Sequence, residues 1–204
     1  VIAANLCPTS APAAEAGPSR ATAPEAPFRP PPFRPPAVPL VTHTPCFSIW
    51  SCADRLTDVE TTHWTGAPHP LKSLVRIDGR TYRILGAEPR DIPALPQTSL
   101  EVTPTRTIGR FEGEGLSVDL EFLTPALPDD LDVLARPVTY VTWKIRRAGP
   151  QGQEDSEGPP AARGGPRSVE IYFDCAAAVS VNAPDQPVHW DHPSFDGLVT
   201  MRAG

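Results

Sequence analysis

From Val38 onward, apolar and polar positions alternate with a period of two along most of the chain. Leu116, Val118, Leu120 and Phe122 alternate with Ser117, Asp119 and Glu121, the pattern of a strand with one buried face and one wet face. Val141, Trp143 and Ile145 alternate with Thr142, Lys144 and Arg146, and Val169, Ile171 and Phe173 alternate with Glu170, Tyr172 and Asp174. Each side chain fully buried on those apolar faces contributes about 1.5–3 kcal/mol before chain entropy is subtracted. Asp78-Gly79 lies between Leu74–Ile77 and Thr81–Leu85, which predicts a hairpin, because a type I′ turn needs the positive φ that Asp and Gly tolerate. Glu112-Gly113-Glu114-Gly115 plays the same part before the Leu116 strand. Prolines at 89, 93, 96, 104, 125, 128 and 137 exclude long helices from the connections. Only Asp129–Ala135 predicts a helical turn or two, its leading carboxylates suited to the positive end of a helix dipole. Short antiparallel strands punctuated in this way predict an all-β fold, an antiparallel β-sandwich.

Composition limits how much of the chain the sandwich can use. Ten of the first 36 residues are proline, and most of the others are Ala, Glu, Ser, Thr or Arg, too little apolar surface to offset chain entropy. Residues 1–36 are therefore expected to be a disordered arm, and residues 37–204 the β-sandwich domain. The pentapeptide PFRPP occurs twice in tandem, at 27–31 and 32–36; it reads as a stiff spacer, or as a polyproline segment for an aromatic groove. Val1-Ile2-Ala3-Ala4 and the small residues around 13–16 read either as the tail of a secretory signal or as plain linker, and both chain ends look cut from something longer. Residues 148–167 share the arm's composition and read as a long disordered loop inserted in a hairpin. The net charge of −6 is dispersed and no basic stripe is present, which argues against nucleic acid. No apolar run approaches the roughly 18 residues of a membrane-spanning helix.

Four cysteines, Cys7, Cys46, Cys52 and Cys175, leave two readings. Cys46 and Cys52 fall on one face of one apparent strand, roughly 20 Å apart if extended, too far to bridge without a fold-back. A bond from either to Cys175 is one reading, and small buried thiols acting as hydrophobes is the favoured other. Neither the cysteines nor His43, His63, His69, His189 and His192 have zinc-site spacing, and the standard nucleophile, phosphate and metal motifs are absent. No catalytic residue, metal ligand or cofactor is expected in this chain.

Three clusters carry candidate chemistry. Trp50, Asp54, Arg55, Asp58, His63 and Trp64 lie on and around a loop from Ser51 to Gly66. Of these, Trp50, Asp54, Arg55, His63 and Trp64 are the candidate rim of a cleft for a small polar substrate; the plainer alternative is a structured loop with packed indoles. His189-Trp190-Asp191-His192 puts two imidazoles and a carboxylate within four residues, but in a strand 189 and 191 share a face while 192 points away. A metal would need a turn there, and a solvated surface loop is the simpler reading. Pro128-Asp129-Asp130-Leu131-Asp132 reads as the helix start rather than as an acid–base pair or a calcium site.

Several words in fixed order carry a family resemblance. They are Val38–His43, Phe47–Ser51, Ala53–Asp58, His63–Gly66, Gln97–Thr107, Phe122–Pro125, Arg136–Tyr140, Tyr172–Asp174 and Asn182–Val188. In these the chain resembles the N-terminal region of the glutaminase A-like family. The resemblance implies an extracytoplasmic protein in which a β-sandwich precedes an (α/α)₆ barrel, with hydrolysis of L-glutamine to L-glutamate and ammonia in the complete protein. It places the pocket in the barrel, so the expected partners are the C-terminal barrel of the same polypeptide and, only with it, glutamine. Cys46, Cys52, the 148–167 insertion and the His189–His192 run depart from the family pattern. A sugar- or protein-binding β-sandwich module, with Trp50 and Trp64 as platform, and the N-domain of a glycoside-hydrolase-like enzyme are the alternatives.

Overall fold

The computed structural model describes residues 35–147, 168–183, 185–195 and 198–203. Cys7, most of the arm and the 148–167 insertion lie outside the described residues. Three sheets carry the fold, all antiparallel. The largest has the order β6 (Gln97–Val102), β7 (Arg106–Gly113), β8 (Leu116–Leu123), β9 (Tyr140–Arg147). A second has β4 (Leu71–Ile77) between β10 (Val169–Cys175) and β5 (Arg80–Leu85). The third joins β1 (Val38–Thr42), β2 (Ser48–Ser51) and β3 (Thr62–His63). Near the C-terminus β11 (Trp190–Asp191) pairs with β14 (Arg202–Ala203), and β12 (Ser194–Phe195) with β13 (Leu198–Val199).

The expected turns form. Asp78 and Gly79 have φ 46° and 86° between β4 and β5, and Glu114 and Gly115 have φ 51° and 74° between β7 and β8, so each hairpin closes on two left-handed residues. The short helix α1 (Leu131–Leu134) is capped by Asp130, whose carboxylate accepts from Val133 N–H at 3.0 Å. Pro39 sits in β1, an edge strand, beside a register shift between Pro39 and Val41, where a missing N–H is tolerated.

The inward face of the four-stranded sheet packs on both smaller sheets. Thr107 on β7 donates to Pro39 O on β1 at 2.6 Å, and Trp143 Nε1 on β9 donates to Ser73 Oγ on β4 at 3.0 Å. Phe111, Val118, Leu120 and Phe122 meet Val38, Ile49, Leu71, Val75 and Ile84 in one buried cluster. The antiparallel all-β sandwich anticipated from the alternating pattern is the fold.

Three expectations need correction. The strands flanking 148–167 do not form a hairpin: β9 pairs with β8, and β10 pairs with β4 in another sheet. The alternation of each strand is the same whichever partner it takes, so the pairing was not legible from it. Second, Cys46, Cys52 and Cys175 are exposed free thiols rather than buried ones, and Cys46 precedes β2 instead of sharing a strand with Cys52. Third, the wet face of β8 is covered. Asp119 and Glu121 are buried because β8 is central, and long basic side chains from both neighbours fold over it. Arg146 and Lys144 of β9 reach Asp119 and Glu121 at 2.9 and 2.6 Å, while Arg110 and Arg106 of β7 approach from the other side at 3.8 and 3.6 Å.

Candidate functional site

The segment after β2 is a tightly held loop. Leu56 is fully buried and inserts over Gly109 of β7, where a Cβ would lie 2.8 Å from Leu56 Cδ1. The Gln97 amide grips the loop from β6: its Oε1 accepts from Leu56 N–H at 2.8 Å and its Nε2 donates to Asp54 O at 3.2 Å. Arg83 of β5 donates to the carbonyls of Thr57 (2.8 Å), Gly86 (3.0 Å) and Ile92 (2.8 Å). One guanidinium thus ties the β2–β3 loop to the β5–β6 connection, as its fixed fork of donors allows. Thr61 Oγ1 donates to His69 O and accepts from Leu71 N–H, both at 2.7 Å.

His63 and Trp64 are brought together at the end of this loop. Both donate to the Pro45 carbonyl, His63 Nε2 at 2.8 Å and Trp64 Nε1 at 2.6 Å. Thr65 Oγ1 lies 2.7 Å from His63 Nδ1. The neutral Nε2–H tautomer satisfies all of these contacts. The Trp64 ring remains 62% exposed. Trp50 is placed differently: it pairs with Thr62 while Ile49 pairs with His63, so Trp50 and His63 occupy opposite faces of the β2–β3 pair. Trp50 Nε1 bonds Ser48 Oγ at 2.6 Å. Asp54, Arg55 and Asp58 are exposed on the outside of the loop.

In the His189–His192 run, Asp191 pairs with Arg202 at 2.6 Å and the His192 ring meets Trp190 edge-on at 5.1 Å. Among the described residues no group of three or more His, Cys, Asp or Glu is arranged to hold a metal ion.

Sequence reasoning missed a second feature, an apolar groove of about 350 Å³ where the three sheets meet. His43, Phe47, Phe122, Thr139, Phe173 and Cys175 are among its lining residues. His43 Nε2 lies 2.9 Å from Thr139 Oγ1, which in turn lies 3.1 Å from Thr124 Oγ1. Burial lowers the His43 pKa from 6.5. Desolvation, then the adjacent Asp174 carboxylate, pushes the Cys175 thiol up, so it is a poor nucleophile at neutral pH. The signal for this groove is spread over five separated segments, and no single stretch carries it.

His69, its ring tilted against that of His63 at 5.3 Å, also has its pKa lowered, by burial first and then by the charge of His63. With folded-state values below 6.5, the unfolded chain binds more protons in the window beneath that value. The contribution of His43 and His69 is therefore complete above about pH 7 and is lost as pH falls through their folded pKa values. Urea midpoints are expected to drop between about pH 7.5 and pH 5.5, with a shallower drop in His69→Gln.

Known proteins resemble this chain in two ways. Residues 29–96 match a domain of unknown function, DUF4964, and residues 105–204 match a second, DUF5127. Across 173 residues the chain is 26% identical to "Glutaminase A" of Aspergillus oryzae (strain ATCC 42149 / RIB 40). It is a distant homologue of that protein, and its resemblance to the N-terminal region of the glutaminase A-like family holds. The match takes in 81% of this chain, and the chain spans 23% of that relative's length. No solved structure matches.

Proposed function

We propose that this chain is the non-catalytic N-terminal β-sandwich of a secreted glutaminase A-like amidohydrolase. Residues 37–204 form the sandwich domain and residues 1–36 a proline-rich arm. The complete protein hydrolyses the side-chain amide of L-glutamine to L-glutamate and ammonia, with its pocket in a C-terminal helical barrel. One observation carries this reading: homology with glutaminase A extends over 81% of the chain yet takes in only 23% of the relative. Fold alone does not fix the reaction. Extracytoplasmic placement is part of the same proposal; among the described residues no helix is long and apolar enough to cross a membrane. In this reading His63 and Trp64 stand at the rim of the substrate cleft, with Asp54, Arg55 and Trp50 on the flanks of the same loop.

Steady-state ammonia release by the full-length protein tests the reaction. Turnover of L-glutamine, with none of an aryl glycoside, is the expected result; the reverse preference overturns the proposal in favour of a glycoside hydrolase. The exposed indoles of Trp64 and Trp190 favour a second reading, a sugar-binding module. Oligosaccharide binding by this chain, abolished in Trp64→Ala, would establish that reading.

A further inference from the structure

We infer that the open apolar side of the sandwich, running from the groove onto β9 and β10, is the seat for an apolar segment of the remainder of the full-length polypeptide. This inference rests on the reading above that further domain structure accompanies this chain in the whole protein.

Inward positions of the two edge strands are only partly covered. Ile145 on β9 is 38% exposed, and Ile171 and Phe173 on β10 are 36% and 37% exposed. They belong to the faces that pack on the core: Phe173 meets Trp143 edge-on at 5.4 Å, and Ile171 pairs with fully buried Val75. Val138, on the groove wall, is 39% exposed. Uncovered apolar surface continuous with a groove marks an interface rather than ordinary surface.

The chemistry of the groove selects the occupant. No Asp, Glu, Lys or Arg lines it, and its imidazole and hydroxyl groups bond one another along His43, Thr139 and Thr124. A charged ligand would meet no counter-charge there, whereas a permanent intrachain interface is apolar in this way. Length supplies the candidate, because the greater part of the homologous glutaminase A lies outside the match. A second copy fits less well. Lys144 and Arg146 of β9 are turned back onto Glu121 and Asp119 of β8, so neither offers a second copy a free charge to pair with, and the concentration dependence of the labelling below tests that occupant.

Cys175 sits at this seat and Cys52 does not, and both thiols are exposed in this chain. Mass-spectrometric maleimide labelling of the full-length protein therefore reads the seat directly. Cys175 is expected to label at least about tenfold more slowly in the unmodified full-length protein than in Val138→Asp, a substitution at a partly exposed position, with Cys52 labelling equally in both. Rapid labelling of Cys175 in the unmodified protein overturns the inference. Slow labelling unchanged by Val138→Asp overturns it as well, and so does protection that grows with protein concentration, which would indicate a second copy. Ammonia release from the same sample separates the two readings. An active protein with an open Cys175 defeats the docking seat alone, and an inactive protein with a protected Cys175 defeats the glutaminase reading alone.

Discussion

Phe111→Ala is expected to destabilise the sandwich by about 3–5 kcal/mol, read as a lower urea midpoint with little change in slope. Phe111 is fully buried on β7, where its backbone pairs with Val118 on one side and Gln97 on the other. Its ring edge lies 3.2 Å from where a Cβ on Gly109 would stand, beside the seat of Leu56. Removing the ring empties the place where the four-stranded sheet and the anchored loop meet. The backbone there is held by strands on both sides and collapses little into the space, which puts the cost toward the upper part of the range. A change below about 1 kcal/mol would contradict this account of the core.

Arg83→Ala is expected to cost about 2–4 kcal/mol and to loosen the Ser51–Gly66 loop more than the sheets. Three carbonyls from two connections, at Thr57, Gly86 and Ile92, lose one shared cationic donor. Such bonds to a charged group are individually worth more than neutral ones, and the carbonyls left behind bear the desolvation cost. Arg83→Lys is expected to recover only part of the loss, since an ammonium lacks the planar fork. Amide hydrogen exchange checks the local effect: faster exchange at Leu56 and Asp58, with β7 and β8 unchanged, is the expected pattern. Uniform acceleration across all strands would show that Arg83 supports global stability rather than the loop.

The alternation of Leu116 to Phe122 and the Asp78-Gly79 turn made β8 and the β4–β5 hairpin legible, because both signals are local. What could not be read is non-local. Asp119 and Glu121 look like solvent-facing residues until β8 is known to be central, and only then do Arg110, Arg106, Lys144 and Arg146 acquire partners. The separation of β9 and β10 into different sheets is a choice between equivalent alternations. At the site, adjacency in sequence suggested a common rim for Trp50 and His63, whereas the β2–β3 register puts them on opposite faces. Gln97 and Arg83, which hold the loop, lie 41 and 26 residues from Leu56 and Thr57, so nothing near the loop announced them. The groove is assembled from five segments, and its partly open apolar faces became visible only when burial replaced pattern.

The central claim is that this sandwich supports chemistry performed elsewhere in the whole protein. Side-by-side measurement of ammonia release from L-glutamine, using this 204-residue chain and the full-length protein at equal concentration, tests it most directly. Turnover by the full-length protein with none above background in the 204-residue chain is the predicted result. Turnover by the 204-residue chain at a comparable rate would contradict it.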